Sequence, residues 1–143
     1  MVSSKSIYDL KSSSDGKRIL ISRYYPRGVK KDRFDLWIRQ ASPGIPLLKE
    51  YKSGAIDWKE FSKRFRTQMT KTPEGKRALA ELAEQAKLSD SITLLCYEKE
   101  GENCHRNIVK SILDRKLRLY QPKRSKKRRE KLRKANYISS SSR

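Results

Sequence analysis

The stretch Ile92-Thr93-Leu94-Leu95-Cys96-Tyr97 carries no charge and no alternation of apolar with polar positions, in a chain where 36% of residues are charged. A strand with one wet face alternates, whereas a strand without alternation has to be covered on both faces. Ile19-Leu20-Ile21, within Arg18–Arg23, repeats the signal. Helices crossing over between parallel strands provide that double cover. The two runs therefore predict an α/β domain with a small, mostly parallel sheet flanked by helices.

Other segments fill in around these runs. Ile7–Leu10 reads as a first short strand, followed by a Ser/Asp/Gly turn. "YPRGVKKDRF" is a loop, because Pro26 disfavours helix at Tyr25 and Gly28 permits tight geometry. Phe34, Trp37, Ile38 and Ala41 have helical spacing and predict a short helix stopped by Pro43-Gly44. "PLLKEYKSG" predicts another, ending at Gly54. Asp57 is placed to cap a helix over Trp58–Met69, with Trp58, Phe61, Phe65 and Met69 on one stripe. Thr72-Pro73 opens a further helix that buries Leu79, Leu82, Ala83 and Ala86. After "EGEN", a last helix is expected from Cys104 to Lys116, with Ile108, Ile112 and Leu113 inward. About three strands are visible.

The 143 residues suffice for one core and an appendage. Their net charge is +20, and residues 115–143 concentrate it: thirteen Lys or Arg stand against one Glu. The expected organisation is a domain over 1–118 and a basic extension over 119–143. Lys123–Ala135 holds good helix formers but no adequate apolar face, so it is not expected to fold alone in water. Such charge calls for a polyanion, and nucleic acid is the default because each neutralised phosphate releases a counterion. A membrane surface is the weaker match, since no long apolar run exists. "MVSSKSIYDL" lacks the apolar core of a secretory signal, and two cysteines suit a reducing interior, so a cytoplasmic location is expected.

Several linked motifs resemble one family. They are the strand ending at Arg23, Tyr25-Pro26-Arg27-Gly28, Trp37, Ser42-Pro43, Trp58 with Phe61, the apolar strand ending at Cys96, and Cys104-His105-Arg106 at the start of the last helix. Together, over residues 6–117, they resemble the YeaO-like family, domain of unknown function 488. The resemblance implies a compact α/β domain of Rossmann-like character and brings no assigned activity. The extension from Leu119 departs from the usual family ending.

Three constellations carry candidate chemistry. In the extension, Lys123, Arg124, Lys126, Lys127, Arg128, Arg129, Lys131, Arg133 and Lys134 are expected to follow phosphates, with Tyr137 available to stack on a base. In "RYYPRGVKKDR", the cations Arg23, Arg27, Lys30, Lys31 and Arg33 surround a loop at a strand end beside Tyr24 and Tyr25, a second phosphate-contacting patch unless the tyrosines pack inward. No helix-turn-helix, zinc finger, RNP pair or GXXG loop is present. The expected function is therefore non-catalytic nucleic-acid binding. RNA is favoured over DNA, in a ribosome or another ribonucleoprotein, by analogy with globular bodies that carry basic arms. A chromatin-type duplex-DNA binder is the alternative.

The third constellation is Cys96 with Cys104, His105 and Arg106. Two thiols and one imidazole supply three of the four ligands zinc takes, and Glu98, Glu100 or Glu102 would have to complete them, so no metal or cofactor is expected. Packed or capping cysteines are the plainest reading; a disulfide is another. As a further alternative, Cys104 is an enzyme's nucleophile, its pKa lowered by a helix N-terminus and by Arg106. The phosphatase loop Cys-x5-Arg is absent.

Overall fold

The computed structural model describes residues 1–99 and 101–120. One sheet contains β1 (Val2–Ser6), β2 (Lys17–Leu20), β3 (Leu36–Trp37) and β4 (Ile92–Cys96). Its order is β1-β4-β2-β3, and every pairing is parallel. Four helices accompany it: α1 (Ile45–Lys52), α2 (Trp58–Lys71), α3 (Pro73–Leu88) and α4 (His105–Tyr120). Met1–Leu113 form one compact unit, and the chain from Asp114 belongs to a second. The basic cluster Lys123–Lys134 and Tyr137 lie outside the described residues.

All five residues of β4 are buried, as the unbroken apolar run requires of a central strand. The helix signals also act as expected. Asp57 accepts the Glu60 N–H at 2.8 Å, and Thr72 Oγ1 accepts the Gly75 N–H at 3.0 Å. Each bond satisfies an N–H that a helix start leaves without a partner. Phe61, Phe65 and Met69 of α2 are buried, as are Ala78, Leu79, Leu82, Ala83 and Ala86 of α3. At Gly75 the backbones approach so closely that a Cβ would lie 2.2 Å from the Gln68 carbonyl oxygen.

Two elements differ from the sequence reading. The first strand is Val2–Ser6 and not Ile7–Leu10. It pairs only with β4, and an edge strand tolerates Ser3, Ser4 and Lys5 half-buried. The chain turns directly after it, with Asp9 N–H donating to the Ser6 carbonyl at 3.1 Å. Phe34–Ala41 is not a helix either. Leu36 and Trp37 pair with Ile19 and Leu20 as β3, and Arg39–Ala41 form a single 3-10 turn. A strand end followed by a turn brings Phe34, Trp37 and Ile38 to the core with the same spacing a helix would use. The sheet therefore has four strands instead of three.

Asp15 joins three strands, meeting β2 and β4 near their N-terminal ends and β1 near its C-terminal end. Its carboxylate accepts from Lys5 of β1 at 3.0 Å and from Arg18 of β2 at 2.5 Å, and its carbonyl accepts from Thr93 Oγ1 of β4 at 2.7 Å. Burial pushes the Asp15 carboxyl up, but the Ser12 N–H, Lys5 and Arg18 outweigh burial and hold it below the ordinary carboxylate range. Its stabilisation is complete above the unfolded pKa near 3.8 and is lost as pH falls through the folded value. Replacing Asp15 by alanine strands the buried Arg18 guanidinium, and urea unfolding should register a loss of about 3–5 kcal/mol. A loss under about 1 kcal/mol, the range of exposed ion pairs, would show that Asp15 is not the junction described.

Candidate functional site: a buried cysteine–histidine cluster

β4 lies between β1 and β2, and the chain leaves its C-terminal end at Cys96 to reach α4. In parallel sheets, crevices outside the strands' carboxyl ends are where ligands bind. Two backbone bonds fix this end: Ile7 N–H donates to the Cys96 carbonyl at 2.7 Å and Ile21 N–H to the Leu95 carbonyl at 2.9 Å. Cys104 immediately precedes α4, so its sulfur sits among the first helix amides, 3.5 Å from Arg106 N.

His105 is buried, with its ring edge-on to Phe65 at 5.7 Å. Its Nε2 lies 2.6 Å from the Ile21 carbonyl oxygen, which can only accept, so Nε2 carries a proton. That bond aims Nδ1 at both sulfurs, 3.8 Å from Cys104 Sγ and 3.9 Å from Cys96 Sγ. The Cys104 thiol is placed to donate to Glu98 Oε2, 3.1 Å from its sulfur. Both cysteines are free thiols.

The surroundings drive the groups apart in acidity. The hydrogen bond from Cys96 and the neighbouring His105 lower the Cys104 pKa to about 3, against the opposing effect of burial. That same hydrogen bond, then burial, pushes the Cys96 thiol up, so it keeps its proton. Burial, followed by the charge on Cys104, raises Glu98. Burial pushes His105 down, but the Cys104 sulfur and the Ile21 carbonyl outweigh it and hold the imidazole up. Cys104 therefore ionises well below an ordinary thiol, Cys96 keeps its proton, and Glu98 and His105 each hold theirs to a higher pH than usual.

Cys104 also lines an open depression of about 400 Å³ bordered by Trp58, Ser62, Arg66, Asn103 and Asn107. Cys96 and His105 do not line it. Cys104 is thus the member of the cluster that meets whatever enters.

Cys96 Sγ, Cys104 Sγ and His105 Nδ1 lie within 4.8 Å of one another, and Glu98 adds a carboxylate. These are the described residues whose donors suit a soft divalent ion, a use that would compete with a free thiolate. Arg106 takes a different part from the one the sequence suggested. Its guanidinium donates to the Glu98 carbonyl at 2.7 Å and the Lys99 carbonyl at 3.3 Å, so it braces the loop before α4 while its backbone N–H faces the thiolate. Sequence reasoning missed the Ile21 carbonyl; it offered Glu98 beside the two thiols only as one of three carboxylates that could complete a zinc site, and the structure puts Glu98 against Cys104.

The basic loop is divided. Arg23 donates to the Ser42 and Pro43 carbonyls, and Arg33 to those of Ile7 and Asp9, so both guanidiniums hold the fold together. Arg27, Lys30 and Lys31 are exposed. Tyr24 and Tyr25 are not packed inward: they are 53% and 40% exposed. Tyr25 nevertheless meets Phe34 and Trp37 edge-on and donates to the Val29 carbonyl. No described helix is long and apolar enough to cross a membrane.

Residues 2–117 match a family model described as "DUF488-N3a: Active DUF488-N3 subclade". Among known proteins, the uncharacterized protein YeaO of Escherichia coli (strain K12) is 30% identical over 87 residues, 59% of this chain and 76% of that protein. Uncharacterized protein Rv3073c of Mycobacterium tuberculosis H37Rv is 30% identical over 78 residues, 53% of this chain and 63% of that protein. No solved structure matches.

Proposed function

This chain belongs to the DUF488 family, in the subclade DUF488-N3a, and from that premise we propose that it is a cysteine-dependent enzyme with Cys104 as nucleophile. The observation that carries the reading is that Cys104, 2% exposed, lines an open depression, with His105 Nδ1 3.8 Å and Glu98 3.1 Å from its sulfur. Nucleophile, charge partner and proton source are then within reach of one another. His105 acts as the fixed cation that keeps the sulfur ionised, and the Ile21 carbonyl holds its tautomer. Glu98 supplies a proton to a leaving group once the sulfur has attacked.

Iodoacetamide labelling followed by peptide mass mapping tests this reading. Cys104 should be alkylated at a rate that stays flat between about pH 5 and 8, while the enclosed Cys96 remains unmodified. A rate that climbs tenfold per pH unit toward an ordinary thiol pKa near 8.5 would remove the activated nucleophile. So would stoichiometric zinc in the protein as purified.

The net charge of +20 and the exposed Arg27, Lys30 and Lys31 favour a second property, attachment to nucleic acid, with RNA in a ribosome or other ribonucleoprotein as partner. If the nine cations of Lys123–Lys134 follow phosphates, affinity for bulk RNA should fall with a log-log salt slope of about −6 to −8. Truncation after Tyr120 should flatten that slope. An unchanged slope removes the arm from the interface, and stronger competition by duplex DNA than by rRNA would favour the chromatin-type alternative.

A further inference from the structure

We propose that Cys96 is the resolving thiol of Cys104, so that the cluster reduces hydroperoxides through an intramolecular disulfide. The inference rests on Cys104 as nucleophile and adds a second thiol and a substrate class to that site. Its basis is an arrangement that attack by Cys104 alone does not require. The two sulfurs lie within 4.8 Å, both free, on the end of β4 and at the start of α4. Cys96 has no exposed surface and Cys104 is 2% exposed, and of the two only Cys104 lines the depression. An oxidant of modest size therefore meets one sulfur and not the other, which separates the attacking thiol from the resolving one. Glu98 touches both: its carboxyl is hydrogen-bonded to Cys104 at 3.1 Å and interacts with the Cys96 thiol.

The electron and proton balance closes within these groups. Cys104 thiolate attacks the outer oxygen of a hydroperoxide, forming the S–O bond as the O–O bond breaks. Glu98, which receives the Cys104 proton as the sulfur ionises, passes it to the departing alkoxide, or to hydroxide from hydrogen peroxide, which leaves as alcohol or water. Cys104 is now a sulfenic acid and Glu98 a carboxylate. The negative charge has moved from sulfur to carboxylate without leaving the cluster. Cys96 then gives its proton to Glu98, and its sulfur attacks the Cys104 sulfur. The S–S bond forms, the S–O bond breaks, and the hydroxide takes the proton from Glu98 to leave as water. Two thiol sulfurs have been oxidised and one peroxide bond reduced. An external thiol returns the pair to the reduced state by exchange.

The depression suits this role through what it lacks. Among the described residues, Arg66 and Glu102 place one charge of each sign on its walls, with Ser62, Asn103 and Asn107 between them. That lining has no marked preference for a strongly charged substrate and offers hydrogen bonds to a small polar one.

The test treats the full chain with a slight molar excess of hydrogen peroxide, blocks residual thiols by alkylation, and maps peptides without reduction. The inference expects loss of both free thiols and a crosslink between the Cys96 and Cys104 peptides within one chain, reversed by dithiothreitol. Cys96→Ser should give no crosslink and should accumulate a dimedone-reactive sulfenic acid at Cys104. Wild-type protein that stops at sulfenic or sulfinic acid on Cys104, or crosslinks only between chains, overturns the role of Cys96 and leaves the nucleophile standing. Absence of oxidation at Cys104 in both proteins overturns the nucleophile as well. If Cys96→Ser does not fold, the wild-type crosslink alone decides the matter.

Discussion

The hydrogen bond between His105 Nε2 and the Ile21 carbonyl holds the arrangement together. It ties the first residue of α4 to the chain just past β2, across the end of β4, and so joins elements that are distant in sequence. It also settles the chemistry. A carbonyl can only accept, so Nε2 carries a proton and Nδ1 is turned toward the two sulfurs. Without that bond the imidazole could rotate or exchange tautomers, and the Cys104 thiolate would lose a fixed cation in a setting where water cannot replace it.

A buried charge is expensive unless it is paired and hydrogen-bonded. Here the pairing is distributed. Cys104 receives the hydrogen bond of Cys96, the charge of His105 and the Arg106 amide. Arg106 itself is directed to the Glu98 and Lys99 carbonyls and stiffens the loop that presents Glu98. The cluster is therefore a network in which each member is held by a partner from another element. Elsewhere on the sheet, Asp15 with Lys5 and Arg18 performs a comparable task. The cysteine–histidine cluster carries the reactive groups, and Asp15 secures the strands that present them.

Legibility in the sequence followed the locality of each cause. β4, α2, α3 and the start of α4 were readable because their signals lie within a few residues: an unbroken apolar run, Asp57 and Thr72 as caps, Pro73 at the first helical turn. β1 and β3 were not. Val2–Ser6 is polar because an edge strand needs little apolar cover, and Leu36–Trp37 is too short to show a period of two. At the site, Cys104 and His105 were placed correctly at a helix start. Their acidity had a different origin from the one expected, since the Arg106 side chain points to carbonyls and the decisive partners, Cys96 and the Ile21 carbonyl, come from the end of β4 and the chain just past β2. The loop cations divided for a related reason: nothing local distinguishes Arg23 and Arg33, which bind backbone carbonyls, from Arg27 and Lys30, which do not.

The central claim is a Cys104 thiolate at rest beside a His105 ring held by the Ile21 carbonyl. Nuclear magnetic resonance of the Cys104 β-carbon and both His105 ring nitrogens, across an acid titration, reads that state directly. The account predicts a thiolate shift at Cys104 and a proton on His105 Nε2 at neutral pH, with the sulfur gaining its proton only as pH approaches about 3. A neutral imidazole beside a protonated Cys104 at pH 7 would contradict it.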